Sequence, residues 1–202
     1  MSNFYYDYAE DSFLLLDSAI ELLSYFHPRM VIEIGSGSGY VIIELLKKYP
    51  LIKGIATDLS FTACKETLNQ AYKNNVDSRL QVVCTSFDLA LKSFNSNDIL
   101  YLFNPPYLPE DKSIDEKFSL NERLAYVGGV KGWETGFKMV EIALKKRNAP
   151  ILIIYSSLSG PLEKYLEKCF SAGFHAKIIK AIRFEFEELV SILITPPNFF
   201  NN

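Results

Sequence analysis

The stretch MVIEIGSGSGYVIIELLKKY, residues 30–49, constrains this chain more than any other. A short, mostly apolar run leads straight into three alternating glycines, and apolar positions then return at helical spacing. Such a join reads as a buried strand, a glycine turn and a helix. A strand that is apolar on both faces needs cover on both, and a parallel sheet between helical layers supplies it. The rest of the chain repeats the alternation. Residues 11–26 place Leu16, Ala19, Ile20, Leu23 and Phe26 at helical spacing, with Asp11 or Ser12 as the N-cap. GIATD, ending at Asp58, is a second strand, and Ser60 caps a helix over 62–74. Residues 80–85, 98–103 and 151–157 are further strands, and AKIIKAIRF and LVSILIT flank FEFEE as a hairpin at one sheet edge. The expected fold is α/β and Rossmann-like, a mostly parallel seven-stranded sheet with helices on both faces and an antiparallel C-terminal hairpin.

The 202 residues suffice for one such domain, 1–202, and are too few for two ordinary ones. A net charge of −3 argues against broad nucleic-acid binding, which draws its affinity from Lys and Arg on phosphates. Cys64, Cys84 and Cys169 are scattered thiols, neither a disulfide framework nor a zinc knuckle, and are expected as small buried groups in a reducing compartment. No apolar run is long enough to span a bilayer, and the start lacks the basic flank of a signal peptide. These features point to a cytoplasmic protein without a membrane partner. His27 and His175 have no partner pattern. Residues 108–132 lack periodicity and are expected to form a lid or binding loop, with Trp133 either lining a groove or anchoring that loop.

Gly35, Gly37 and Gly39 let a backbone approach a ligand while helical N–H groups point at it. The dinucleotide fingerprint would continue with glycine at position 40, where this chain has Tyr40, a side chain that crowds a pyrophosphate. Glu33 precedes the turn, and Asp58 at the end of the next strand is placed to accept from ribose hydroxyls. Two carboxylates without a basic phosphate clamp fit a ligand with ribose, no phosphate and a positive charge. S-adenosylmethionine meets that description.

Asn104-Pro105-Pro106-Tyr107 follows the fourth parallel strand, so it opens into the crevice where such sheets bind ligands. Proline fixes φ and donates no N–H, so the turn is stiff and its carbonyls are free to accept. The Asn104 side-chain oxygen and the Pro105 carbonyl then suit an NH₂ group, with Tyr107 stacked on a planar acceptor. The reaction needs in-line approach rather than a catalytic histidine.

These motifs resemble the amino-methyltransferases of the class I, Rossmann-like group, in particular the HemK-type release-factor glutamine methyltransferases. YDYAEDSFLLL, residues 6–16, and AYVGGVKGWE, residues 125–134, are similar to segments of the eukaryotic and archaeal branch. The resemblance implies that Glu10, Asp11 and Ser12 cover S-adenosylmethionine. It implies that Glu33, Gly35, Gly37, Gly39, Asp58 and Leu59 hold its methionine and ribose parts, with Asn104 beside them. Ser86-Phe87 stands where the family has an acid and a leucine near the adenine, and Tyr8 replaces a proline. The target would be the G-G-Q glutamine of a class I translation release factor, bound by Asn104, Pro105, Pro106 and Tyr107. Eukaryotic members pair with a small zinc-binding activator protein. Here the apolar strand Leu80 to Cys84, expected at the sheet edge, is the place for it. The competing readings are an adenine-N6 methyltransferase, a protein lysine methyltransferase and a non-catalytic cofactor-binding scaffold.

Overall fold

A computed structural model describes residues 9–85, 98–111, 113, 117, 120–146, 148–197 and 199. Its seven-stranded sheet is built from β1 (Met30–Ile34), β2 (Lys53–Asp58), β3 (Leu80–Cys84), β4 (Ile99–Phe103), β7 (Ile151–Ser156), β8 (His175–Arg183) and β9 (Glu188–Thr195). The order is β3-β2-β1-β4-β7-β9-β8. The first five strands run parallel, and β9 is antiparallel to both β7 and β8, as the tail pattern predicts.

Alternation along the central strand sorts the core. Leu100 and Leu102 of β4 face one layer, while Ile99, Tyr101 and Phe103 face the other. The first layer is closed by α1 (Glu10–Leu23), α2 (Tyr40–Lys48) and α3 (Phe61–Lys73), through Leu14, Leu15, Leu22, Ile42, Leu46 and Ala71. The second is closed by α5 (Glu134–Glu141), its π-helical continuation Ile142–Lys146, and α6 (Leu162–Ser171), through Phe137, Val140, Tyr165 and Cys169. Each buried Leu, Ile, Val or Phe among these contributes about 1.5–3 kcal/mol, so both faces of the sheet are worth covering.

Helix ends follow local chemistry. Ser60 caps α3 by accepting from the Ala63 N–H at 3.3 Å, as expected. The expected cap of α1 does not form. The helix begins at Glu10 with Ala9 as N-cap and no side-chain bond, and Asp11 and Ser12 lie inside its first turn, buried toward the cleft. At the far end of α2, Arg79 donates to the Leu46, Tyr49 and Ile52 carbonyls at 2.7, 3.2 and 3.2 Å.

The segment after β4 is more regular than its sequence suggests. It contains β5 (Leu108–Pro109), α4 (Leu120–Tyr126) and β6 (Val127–Gly129), with β5 and β6 paired in parallel. Two main-chain approaches hold it. A Cβ on Gly128 would stand 2.4 Å from the Pro106 carbonyl oxygen, and one on Gly132 would stand 2.3 Å from that of Tyr107. Trp133 anchors this segment, meeting Phe137 and Tyr165 edge-on at 6.0 and 6.4 Å. Cys64 and Cys169 are buried, but Cys84, expected inside, is exposed because it ends the edge strand. His27 and His175 are both exposed.

No described helix is long and apolar enough to cross a membrane. Among the described residues no group of three or more His, Cys, Asp or Glu could hold a metal ion.

Candidate active site

The chain winds from β1 outward to β3, then crosses back to β4 on the other side of β1. The loops leaving β1 and β4 therefore diverge and open a crevice at the carboxyl ends of the strands. A cavity of about 610 Å³ lies there, and its wall includes Asp11, Ser12, Glu33, Gly35, Gly37, Asp58, Leu59 and Asn104 to Tyr107. Residues distant in sequence thus meet at one place.

The glycine turn is held from below. Gly37 has a φ of +54° and Gly39 of +80°, in the region that side chains disfavour. A Cβ on Gly39 would also stand 2.6 Å from Thr67 Cγ2, so α3 packs against bare backbone. Thr67 Oγ1 donates to the Gly37 carbonyl at 3.0 Å, and the Ser36 N–H donates to the Thr57 carbonyl at 3.0 Å. Asp58 accepts from the Gly37 N–H at 2.9 Å and from the Ser60 N–H at 2.8 Å, one on each oxygen. Each carboxylate oxygen keeps a second lone pair, so Asp58 can bind this turn and still accept from ligand hydroxyls.

Glu33 is 5% exposed and accepts from the Ile42 N–H at 3.1 Å. Burial raises its carboxyl to about 8; the Ile42 N–H works against the shift and the charge of Asp58 adds to it. Asp11, Glu33, Asp58 and Glu187 line the cavity, and none of its described lining residues is Lys, Arg or His. A cationic ligand fits this wall and a phosphate does not.

On the opposite side, Asn104 leaves β4 with its Oδ1 atom buried and without a hydrogen-bond partner among the described residues. Pro105 and Pro106 keep the backbone beside it from supplying a main-chain donor. The Tyr107 hydroxyl donates to Asp11 Oδ2 at 3.4 Å, and Ser159 Oγ donates to the Tyr107 carbonyl at 2.6 Å. Burial, with Asp11 and Glu187 nearby, pushes the Tyr107 phenol up, so it stays a neutral donor.

The sequence reading gathers most of this wall. Gly39 supports the turn without lining the cavity, and Glu10 is exposed and outside the lining. Leu59 lines the cavity although 61% exposed. Ser86 and Phe87 lie outside the described residues. Thr67, Ser159, Glu187 and Leu158 were not singled out by the sequence, and the last two also line the cavity. Each is a single side chain reached only through tertiary contact, so no local spacing reveals it.

No family model matches the chain. It is 30% identical over 179 residues to the release factor glutamine methyltransferase of Aquifex aeolicus, covering 82% of this chain and 63% of that protein. Among solved structures it resembles that of the E. cuniculi Mtq2-Trm112 complex, described as responsible for methylation of the eRF1 translation termination factor. The TM-score is 0.66 and the identity 22%, over 95% of this chain and 98% of that one. An RNA methyltransferase from Salinibacter ruber, solved with S-adenosyl-L-homocysteine, matches with a TM-score of 0.57 at 11% identity, over 95% of each chain. The common fold is that of the class I, Rossmann-like methyltransferases.

Proposed function

We propose that this chain is an S-adenosylmethionine-dependent methyltransferase that modifies the side-chain nitrogen of the G-G-Q glutamine in a class I translation release factor. The observation that carries the reading is the buried, unpartnered Asn104 Oδ1 beside two prolines at the end of a central strand. An acceptor denied any partner in the protein costs about 1–3 kcal/mol, and a donor brought by a ligand removes that penalty. The similarity to the Aquifex aeolicus protein supports the choice of substrate.

The cavity wall fits the cofactor. Its carboxyl groups suit a sulfonium and an ammonium, its glycine turn admits a close backbone approach, and about 610 Å³ accommodates a nucleoside-sized ligand. Glu33 and the turn through Gly35 and Gly37 would hold the methionine part, Asp58 and Leu59 the ribose, and Asp11 and Ser12 would close over it from α1. When bound, the cofactor supplies an electrophilic methyl group.

The protein's part in the chemistry is orientation. An amide nitrogen is a weak nucleophile because its lone pair is delocalised. Asn104 Oδ1 and the Pro105 carbonyl accept its two hydrogens, turn its lone pair toward the methyl group and stabilise the positive charge that grows on it. Tyr107 covers the planar face of the amide. The N-methylated cation is strongly acidic and loses its proton to water, so no catalytic base is required. A lysine ammonium has no lone pair to present until a base removes a proton.

The same two acceptors would suit the exocyclic amine of adenine. The acidic cleft disfavours that substrate, since a nucleic-acid backbone would meet carboxylates rather than Lys or Arg.

The partner is proposed to be a small zinc-binding activator protein seated on β3. The two sheet edges support this by their contrast. The outer strand β8 carries exposed Lys177 and Arg183, which discourage edge-to-edge pairing. Strand β3 reads LQVVC, with no charge, and exposed Phe61, Leu68 and Tyr72 stand on the adjoining α3. A cytoplasmic location follows from the substrate.

Peptide mass spectrometry of a purified release factor tests the reading, after incubation with S-adenosylmethionine, this chain and the activator. One added methyl on the G-G-Q glutamine is expected. Asn104→Ala should lower turnover by about 10²-fold or more while leaving cofactor affinity within about twofold. An unmodified factor beside a methylated adenine-containing duplex would transfer the assignment to nucleic acid. Cofactor binding without transfer to either would leave a scaffold.

A further inference from the structure

We propose that Ser159 is a positioning residue for the acceptor turn, setting the place of the Pro105 carbonyl relative to the Asn104 side chain through its bond to Tyr107. The inference rests on the methyl-transfer reading above, and nothing in the Asn-Pro-Pro-Tyr motif calls for a serine more than fifty residues later in the chain.

The turn is pinned at its entrance by the sheet. Phe103, the residue before Asn104, lies between Ile34 of β1 and Ile153 of β7. After it, the fixed φ of Pro105 and Pro106 leaves mainly ψ rotations free. Those rotations swing the Pro105 carbonyl away from the Asn104 side chain unless the exit is pinned as well. The exit is Tyr107, and its carbonyl oxygen accepts from Ser159 Oγ at 2.6 Å. Ser159 is 5% exposed, so no solvent water readily replaces that donor.

The serine is itself delivered from a rigid base. It ends a 3-10 turn, Ser157–Ser159, that follows β7, one strand over from β4. Ser156 Oγ accepts from the Leu158 N–H at 3.1 Å and donates to Glu187 Oε1 at 2.6 Å. Ser157 Oγ accepts from the Glu188 N–H at 2.9 Å. Three neighbouring hydroxyls thus tie one turn to the C-terminal hairpin on one side and to the acceptor turn on the other.

A positional error of an ångström at the nitrogen affects transfer far more than it affects cofactor binding, because the cofactor is held from β1 and β2. Ser159→Ala should therefore lower kcat about tenfold or more on the release factor, with cofactor Kd within about twofold of wild type. The measurements are steady-state kinetics and calorimetric cofactor titration on the chain with its activator, together with crystal structures of both forms with S-adenosylhomocysteine. The expected structural result is a displaced Pro105–Tyr107 backbone on an unchanged glycine turn. An unchanged kcat would overturn the role, as would a loss of kcat matched by equal losses in cofactor affinity and melting temperature. Should the wild-type chain leave the release factor unmodified, the functional reading fails, and the paired structures still decide on Ser159: a shifted turn supports its role and superposable turns reject it.

Discussion

Glu33 shows how one residue ties stability to the cleft. Its carboxyl titrates near 8 in the folded chain and near the ordinary 4.5 when unfolded, chiefly because it is buried. Between those two values the folded state binds the extra proton, so stability is greatest below the lower one and falls as pH rises through the window, by up to about 1.4 kcal/mol per pH unit. Urea melts of wild type and Glu33→Gln from pH 5 to 8 check this. The wild type should lose stability across the range relative to the variant, whose neutral amide does not titrate. Parallel curves would mean that Glu33 ionises freely. An approaching cation favours the charged form that burial penalises, so proton release from Glu33 and cation binding support each other.

At the scale of elements, the end of α2 makes the clearest case. Three of the carbonyls at and beyond its last turn converge on the Arg79 guanidinium. Arg79→Ala should cost about 1–3 kcal/mol and lower the melting temperature by roughly 3–8 °C, read by calorimetry. Arg79→Lys should recover only part of that, because an ammonium cannot span three acceptors as a planar fork does. An unaltered melting temperature for the Ala variant would show that water satisfies these carbonyls equally well. Most elements were legible because a strand buried on both faces must be an apolar run and a helix over it must repeat at 3.6 residues. Hence β1, β4, β7 and the hairpin read directly, as did the cap at Ser60. The start of α1 did not, because Asp11 and Ser12 look like capping residues but are turned inward to the cleft. The short pair β5 and β6 did not either. Gly128 and Gly132 hold that region by main-chain proximity, which leaves no periodic trace. The candidate site was visible where backbone geometry demands a residue type, at the glycine turn and the two prolines. It was invisible where a lone side chain such as Ser159 or Glu187 arrives from elsewhere in the fold.

For the whole molecule the informative feature is the unequal treatment of the two sheet edges. Pairing on β3 should respond to a charge placed there. Val83→Glu is expected to abolish co-purification with the proposed activator while cofactor affinity stays within about twofold, measured by pull-down and calorimetry. Retained co-purification would move the interface to another face. Beyond the contact itself, an edge without charged guards has a consequence for the cell. On the proposed pairing, a chain made in excess of its activator is an orphan, exposed to proteolysis and to its own copies. Its abundance then follows the supply of that second polypeptide rather than its own rate of synthesis.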